Sequence, residues 1–477
     1  MYPQFSILTT VFDTNPQFLS EAAQSIFSQC HTDFEWIILD NGSTKTAVKK
    51  KLRELGNHTS VTLLHAEQNL GIIGGMRRCI DEAVGNYLVP MDSDDMLTPE
   101  ALTAIAKAIK LHDEPAFLFS DEDLLIDDKC RSPFRRPGWD PVLNLCTSYI
   151  WHLCAFRRKI ARDLDVYTDN KAQWCHDWDT LFRFVNAGHI PIHLPQVLYH
   201  WRRHRESSTN RQNPAADSIK SQNHLLSCQL ERLQLDELFE IDIFPIDRGA
   251  KEPWLRRKKQ NTQPFHLLLE AGSVEAGIEK LQAIRDATDY PFTSATIFGC
   301  GQPEPIKKDS MLGVVNCIPR LESLFCNDYI DNGLVALVRE EVFPEGMMWP
   351  WEAIGMKQLH PDTALFSCRI LDKNRIVIGG GETADSNGNL QSPYVGLKET
   401  DGGNFAMALK QQSVNGIHHG FFISENDILK KAIGLPSPQI SPVMLARNLA
   451  EIALKENRRI LFSPLITGVV TNRHGLS

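Results

Sequence analysis

Asp92, Ser93, Asp94 and Asp95 follow the apolar run Tyr87-Leu88-Val89-Pro90-Met91 and precede a helix-start signal, Thr98-Pro99-Glu100. If the run is a strand, side-chain alternation puts Asp92 and Asp94 on one side of the chain. Two carboxylates at that spacing suit a hard divalent cation and, through it, a phosphorylated ligand. The plainer reading is an acidic loop that caps a helix. Asp40 ends another apolar run, Trp36-Ile37-Ile38-Leu39, at the turn Asn41-Gly42-Ser43. Asp177 and Asp179 sit at the start of a segment whose apolar members are Leu181, Phe182 and Val185, where a carboxylate also caps free N–H groups.

These groups need a frame. Phe5 to Val11 reads as a buried strand, and Asn15 with Pro16 opens a helix on which Phe18, Ala22 and Ile26 share a face. Strands at Trp36–Leu39 and Val61–Leu64, a helix from Ile72 to Ala83 and the strand before Asp92 follow. That alternation predicts an α/β fold, a mostly parallel sheet flanked by helices. Such sheets bind ligands beyond the carboxyl ends of their strands, where Asp40 and Asp92 fall. Phe117–Ser120 reads as a further strand ending at Asp121-Glu122-Asp123, Lys129–Pro141 as a surface loop, and Pro191–Leu198 as a strand before the basic, aromatic run Tyr199–Arg205. The charged run Lys251–Lys259 reads as a solvated connection. A second α/β pattern starts at Phe265 and ends with a helix near Pro442–Glu456 and a strand at Arg459–Phe462.

A chain of 477 residues exceeds one ordinary core. The expected division is 1–210, a helical and charged connector at 211–262, and 263–477. With 42% hydrophobic and 23% charged residues and a formal net charge of -9, the chain lacks the basic footprint of a nucleic-acid binder. No apolar run reaches membrane-spanning length, and Met1-Tyr2-Pro3-Gln4 leads directly into a strand, which argues against a cleaved leader. The 11 cysteines form no metal-ligand spacing and read as reduced, structural thiols of a cytoplasmic protein.

The ordered segments of the first two hundred or so residues resemble the family 2 inverting glycosyltransferases of GT-A fold, especially those that decorate bacterial polysaccharides. The segments are Val11-Phe12-Asp13, Asp40-Asn41-Gly42-Ser43-Thr44, Asn69-Leu70-Gly71-Ile72, Gly85-Asn86-Tyr87 and Asp92-Ser93-Asp94-Asp95. Phe119-Ser120-Asp121-Glu122-Asp123, Arg136-Pro137-Gly138-Trp139 and Tyr199-His200-Trp201-Arg202, with His204 and Ser207, complete the run. Position 41 departs from the family, which usually has aspartate there. The resemblance implies a catalytic domain that moves a sugar from a UDP- or dTDP-linked donor to a glycan or lipid-linked acceptor, using Mn2+ or Mg2+. By the same resemblance Asp94 touches the ion and Asp92 lies nearer the ribose, while Asp95 either ligates or holds the loop. Asp177 is the general base, preceded by His176 where the family has Glu or Gln; His176 is a possible acceptor contact. Asp179 is a cap or supporting residue. Asp40 reads the nucleobase, and Asp13 contacts base or ribose or shields a helix start. Arg77 or Arg78 approaches the donor. His200, Arg202 and His204 lie on a segment that closes toward the diphosphate, His204 as a further metal ligand, Arg202 as a phosphate partner and His200 as an acceptor or supporting group.

The second half resembles a diverged copy of the same fold. Asn327-Asp328-Tyr329 stands where an acidic run is expected, and Ser441-Pro442-Val443-Met444 offers no base. A degenerate copy that positions the acceptor or mediates self-association is the expectation, with a peripheral place at the inner face of the membrane for the whole chain. The alternative is a non-catalytic glycan-binding or scaffold protein made of two such domains. A phosphate-cradling glycine loop, as a nucleotidyltransferase would need, is missing after the first strand, at Val11-Phe12-Asp13-Thr14-Asn15.

Overall fold

Phe5–Val11 is β1, buried along almost its whole length. Asn15 caps α1 (Pro16–Phe27), its Oδ1 accepting from the Gln17 N–H at 3.0 Å. Leu19, Ala22, Ala23 and Ile26 face the sheet; Phe18, expected on that face, instead lies under Arg202, whose guanidinium carbon is 4.6 Å from the ring centroid. The computed structural model describes residues 3–204, 214–246, 251–300, 307–309, 313–326, 333–385, 387–434 and 440–471. Ser207 and Asn327-Asp328-Tyr329 lie outside the described residues. Two compact units emerge, residues 1–144 with 148–228 and residues 229–477 with 145–147.

The first unit continues through β2 (Phe34–Asn41), α2 (Thr46–Leu55), β3 (Val61–Ala66), α3 (Gly71–Glu82), β4 (Tyr87–Pro90), β5 (Met96–Leu97), α4 (Ala101–Leu111), β6 (Phe117–Ile126), β7 (Lys129–Phe134), α5 (Pro141–Cys146), β8 (Cys154–Arg157), α6 (Arg158–Asp163), α7 (His176–Asn186), β9 (Ile192–Arg202) and α8 (Pro214–Leu233). Its sheet runs β3-β2-β1-β4-β8-β6-β9-β5, with β7 against β6. β3, β2, β1 and β4 are mutually parallel, as the alternation predicted. β8 is antiparallel to both its neighbours.

Two strands run on past their predicted ends. β6 carries Asp121, Glu122 and Asp123 inside it, all buried, where sequence pattern placed a terminus. The reason is pairing on both edges: β6 lies parallel to β9 and antiparallel to β7, so its backbone is satisfied beyond the acidic triplet. Residues 129–134, expected as loop, are the hairpin partner, and Arg136 is buried instead of solvated.

The second unit contains β10 (Phe239–Pro245), β11 (Lys251–Arg257), β12 (Phe265–Glu270), α9 (Val274–Ala287), β13 (Ser294–Phe298), β14 (Lys307–Asp309), β15 (Gly313–Ile318), β16 (Leu334–Val338), β17 (Val342–Glu345), α10 (Trp349–Leu359), β18 (Thr363–Leu371), β19 (Val377–Gly379), β20 (Thr383–Ala384), β21 (Leu390–Gln391), β22 (Gln412–Val414), β23 (Phe421–Glu425), α11 (Asn426–Ile433), α12 (Pro442–Lys455) and β24 (Arg459–Val470). Lys251–Arg257, read as a solvated connection, is a strand paired with β10, with Trp254, Leu255 and Arg257 buried. Pairing with β10 and burial of the consecutive Pro253, Trp254 and Leu255, and not net charge, decide its place.

The main sheet here runs β14-β15-β13-β12-β16-β23-β18-β24-β17, with β19 against β18. From β15 onward this repeats the first sheet strand for strand, with matching directions at the corresponding pairs. Phe265 pairs with Leu334 as Phe5 pairs with Tyr87. The register therefore carries Asp92 onto Arg339, and the loop corresponding to Asp92–Asp95 is Arg339-Glu340-Glu341-Val342, not the segment around Asn327. No helix among the described residues is long and apolar enough to cross a membrane.

Candidate active site

The first sheet delivers its acidic loop as the strand pattern predicted. β4 ends at Pro90, Met91 N–H donates to the Leu8 carbonyl at 2.9 Å, and the chain then leaves the sheet through Asp92 to Asp95. Ser93 Oγ meets Thr14 Oγ1 at 2.6 Å and ties the loop to the end of β1. Asp95 is 1% exposed and both its oxygens are taken: Oδ2 accepts from the Tyr199 hydroxyl at 2.6 Å and Oδ1 from the Arg202 N–H at 2.7 Å. Asp94 Oδ2 lies 2.8 Å from His204 Nε2. Asp92 keeps a 56% exposed side chain, with His152 Nε2 at 3.7 Å.

Burial alone would raise Asp92, yet His152 and then His176 hold its carboxyl below the usual range, and its charge acts on the other two. Burial and then the charge of Asp92 push the Asp94 carboxyl up, and His204 offsets only part of this. Asp95 is driven well above the usual carboxylate range by burial, then by Asp92 and Asp94. Burial disfavours protonation of His152, yet Asp92 and Glu122 hold its pKa well above that of a free imidazole. A loop with this excess of negative charge is one that a cation stabilises. One ligand atom from each of Asp92, Asp95 and His152 falls within 4.8 Å of the others, which fits a bound divalent ion. The converging set thus includes His152, whereas the expected trio was Asp94, Asp95 and His204; there, Asp94 and His204 pair with each other and Asp95 is engaged in holding the loop.

His152 is anchored from behind. Glu122 is fully buried, and its oxygens meet Trp151 Nε1 at 2.6 Å, His152 Nδ1 at 3.1 Å and Arg136 Nη2 at 3.1 Å. Arg136 also donates to the carbonyls of Tyr149 and Ser120, each at 2.7 Å. The His152 ring stacks on Tyr199, centroids 4.7 Å apart and planes 8° apart. Burial alone would raise the Glu122 carboxyl, but Arg136 and His152 pull it below its ordinary value. Its contribution to stability is therefore present above the ordinary carboxylate range and fades as pH falls through the depressed value. Glu122→Gln leaves Arg136 buried without its counter-charge and is expected to destabilise the first unit by about 3–5 kcal/mol, read from the denaturant midpoint.

Asp177 stands in the first turn of α7. It is half-buried, and its carboxylate makes no hydrogen bond among the described residues. It is not closing the helix start, the plainer role open to it. The buried Tyr167 hydroxyl is pushed up by burial and then by the charges of Asp177, Cys154 and Asp92, and its ring centroid lies 5.5 Å from that of His176. His176 adds a buried Nδ1 with no hydrogen-bond partner. Asp179 is turned away, accepting from Arg183 Nε at 2.8 Å, the supporting role its spacing predicted.

The remaining candidates divide. Asp40 is buried at the end of β2, its Oδ1 accepting from Ser43 N–H at 2.9 Å and its Oδ2 3.6 Å from His65 Nδ1. Asn41, at the departing position, clamps the next loop: its Oδ1 accepts from Leu70 N–H at 2.9 Å and its Nδ2 donates to the Gly71 carbonyl at 3.0 Å. Asp13 accepts from Thr44 N–H, Thr44 Oγ1 and Lys45 N–H at 2.8, 2.6 and 2.9 Å. Of its two expected roles, the structure displays the loop-holding one.

Arg77 is engaged by Asp81 at 3.3 Å and Asp165 at 3.8 Å, and no contact joins it to the acidic loop among the described residues. Arg202, expected as a free phosphate partner, is 4% exposed; its Nη2 meets Glu21 at 2.6 Å and its Nε the Asp94 carbonyl at 2.7 Å. Its charge is spent on holding the loop. His200 Nδ1 lies 2.6 Å from Asp123 Oδ1. His152, Glu122, Tyr199 and Glu21 escaped the sequence reading. The signal for His152 was an ionisable residue next to a tryptophan within an otherwise buried apolar stretch, Tyr149–Phe156.

Residues 6–164 match the model of glycosyl transferase family 2. An O-antigen biosynthesis protein, RfbC, of Myxococcus xanthus is 29% identical over 236 residues, 48% of this chain and 18% of that protein. An uncharacterized protein of Sinorhizobium fredii is 27% identical over 222 residues, 45% of this chain and 24% of its own length. The chain thus spans a quarter or less of these two relatives. A poly(ribitol-phosphate) β-N-acetylglucosaminyltransferase, TarS, of Staphylococcus aureus is 23% identical over 211 residues, 43% of this chain and 36% of that protein. The crystal structure of S. aureus TarS 1-349 with UDP-GlcNAc aligns with a TM-score of 0.40 at 16% identity, covering 49% of this chain and 70% of that one.

Proposed function

We propose that this chain, whose amino-terminal unit carries a glycosyl transferase family 2 domain, moves a sugar from a nucleoside diphosphate to a hydroxyl of a bacterial surface glycan or its lipid-linked precursor, with inversion. The observation that carries this reading is the presence of two unlike features in the first unit. One is the acidic loop Asp92–Asp95, and the other is Asp177, a half-buried carboxylate with no hydrogen bond among the described residues. The relatives named for O-antigen biosynthesis and for poly(ribitol-phosphate) glycosylation support the choice of acceptor class.

Asp177 takes the proton of the acceptor hydroxyl as that oxygen bonds to the anomeric carbon, while the bond to the nucleoside diphosphate breaks and its electron pair leaves on phosphate oxygen. An attack from the side opposite the leaving group inverts the centre, and one base suffices. Asp40 and Asp13, at the ends of β2 and β1, bind the nucleoside. His176, with its unpartnered Nδ1, donates to or accepts from the acceptor. Asp92, Asp95 and His152, with Asp94 adjoining, are the residues that would hold Mn2+ or Mg2+, which would supply charge neutralisation for the departing diphosphate. Arg202 and Tyr199 act at one remove, fixing the loop through Asp94 and Asp95. Incubation with a panel of UDP- and dTDP-sugars and Mn2+ tests the proposal; no release of nucleoside diphosphate from any donor would overturn it.

The second unit is a non-catalytic copy in this reading. Where Asp92 stands in the first sheet, Arg339 stands in the second, and its Nε pairs with Glu270 at 2.7 Å. Lys280 reaches in from α9 and donates to the Arg339 carbonyl at 2.6 Å. A fixed cation sits where a metal would be needed. Glu341→Ala is therefore expected to leave donor turnover unchanged, and a loss of turnover in the folded variant would restore this loop to catalysis. Acceptor positioning or self-association remains the proposed use of this unit.

A further inference from the structure

A second cluster of ligand-type side chains lies on the same sheet, apart from the acidic loop. Asp123 on β6 and His200 on β9 are register partners in a parallel pair, so both side chains leave the sheet on one face. Leu125, two residues beyond Asp123 and on that same face, pairs with Cys130 on β7. The β6–β7 turn has both central residues, Asp127 and Asp128, at positive φ (49° and 58°), the conformation of a tight hairpin turn that fixes register. Three hydrogen-bonded strands thus bring together a thiol, an imidazole and a carboxylate that are 70 and more residues apart at the extremes of the sequence.

One of the distances already suits a metal, and the other is a hydrogen bond that an ion would replace. His200 Nδ1 lies 3.4 Å from Cys130 Sγ and 2.6 Å from Asp123 Oδ1, and one ligand atom from each residue falls within 4.8 Å of the others. Tetrahedral zinc with bonds of about 2.0–2.3 Å separates its ligand atoms by about 3.3–3.7 Å, so the sulfur and nitrogen already stand at that separation. Cys130 is exposed and leaves a fourth position open to water. The donor set differs in kind from that of the acidic loop: a thiolate sulfur beside an imidazole favours a borderline ion such as Zn2+, whereas a site dominated by carboxylate oxygen favours Mg2+ or Mn2+.

We propose that Asp123, Cys130 and His200 form a zinc-type site that pins the β6–β7 hairpin to β9. That strand runs on through Arg202, whose guanidinium holds the acidic loop and lies 3.6 Å from Asp128 of the hairpin turn. The site is structural and independent of which reaction the acidic loop serves.

Cobalt titration of the chelator-treated full-length protein reads the site directly. The expected result is a thiolate-to-cobalt charge-transfer band that saturates at one ion per chain, is displaced by Zn2+ but not by equal Mn2+, and disappears in Cys130→Ser. Because the chain has 11 cysteines, the variant decides which sulfur is responsible. Cys130 is exposed, so Cys130→Ser is expected to keep the circular dichroism of the parent. No thiolate band, a band that survives in Cys130→Ser, or one untouched by both Asp123→Asn and His200→Asn would overturn the proposal.

Discussion

Asp177→Asn is expected to lower sugar transfer by about 10²–10⁴-fold while nucleotide-sugar affinity and the thermal transition stay where they were. The amide keeps the shape of the side chain but cannot accept the acceptor's proton. Stability should hold because the carboxylate makes no hydrogen bond among the described residues, so little is lost with its charge. Single-turnover rates with saturating donor separate this effect from binding. A variant of parental rate would remove Asp177 as the base. A variant that unfolds early would instead give the residue the capping role that its place at a helix start allows.

The second large effect is expected at the acidic loop. Asp92→Ala and Asp94→Ala should each cost about 10³-fold or more in turnover, what a few kcal/mol of lost charge stabilisation on the leaving group amounts to. Mn2+ binding by calorimetry should weaken in parallel. Asp95→Asn serves as the contrast. Its oxygens accept from Tyr199 and Arg202 and also converge with Asp92 and His152, so its loss should lower stability as well as metal affinity. If Asp92→Ala and Asp94→Ala keep Mn2+ affinity and rate, no ion acts at this loop.

The supporting frame was readable because its signals are local. An Asn-Pro helix start, apolar runs ended by Asp-Asn-Gly, and strands followed by carboxylates each declare themselves within ten residues, and β1, α1, β2 and β4 formed where those signals stood. The place of Asp92 and Asp94 after a strand and of Asp177 at a helix start was legible for the same reason, while the role of Asp177 as base came from the family resemblance. Long-range pairing was not. The buried acids of β6 looked like a strand end because three successive carboxylates normally need water, and the answering groups lie elsewhere, Arg136 in the loop after β7 and His193 and His200 on β9. Arg202 looked like a free cation since nothing in its neighbourhood of sequence names Glu21, 181 residues away, as its partner. Cys130 had no ligand spacing to give it away, for its would-be companions are strand neighbours and not sequence neighbours.

Two sheets of one strand order within a single polypeptide also pose a hazard during synthesis. A strand from one half meets, in the other, an edge of the right direction and length, and swapped assemblies are a recurrent failure of repetitive chains. The halves of this chain have little local sequence in common at the matching positions: Tyr87-Leu88-Val89-Pro90 faces Leu334-Val335-Ala336-Leu337, and an aspartate opposes an arginine at the step beyond. Divergence of this kind makes the wrong partner a poor fit. Drift in the carboxy-terminal half thereby protects the maturation of its twin.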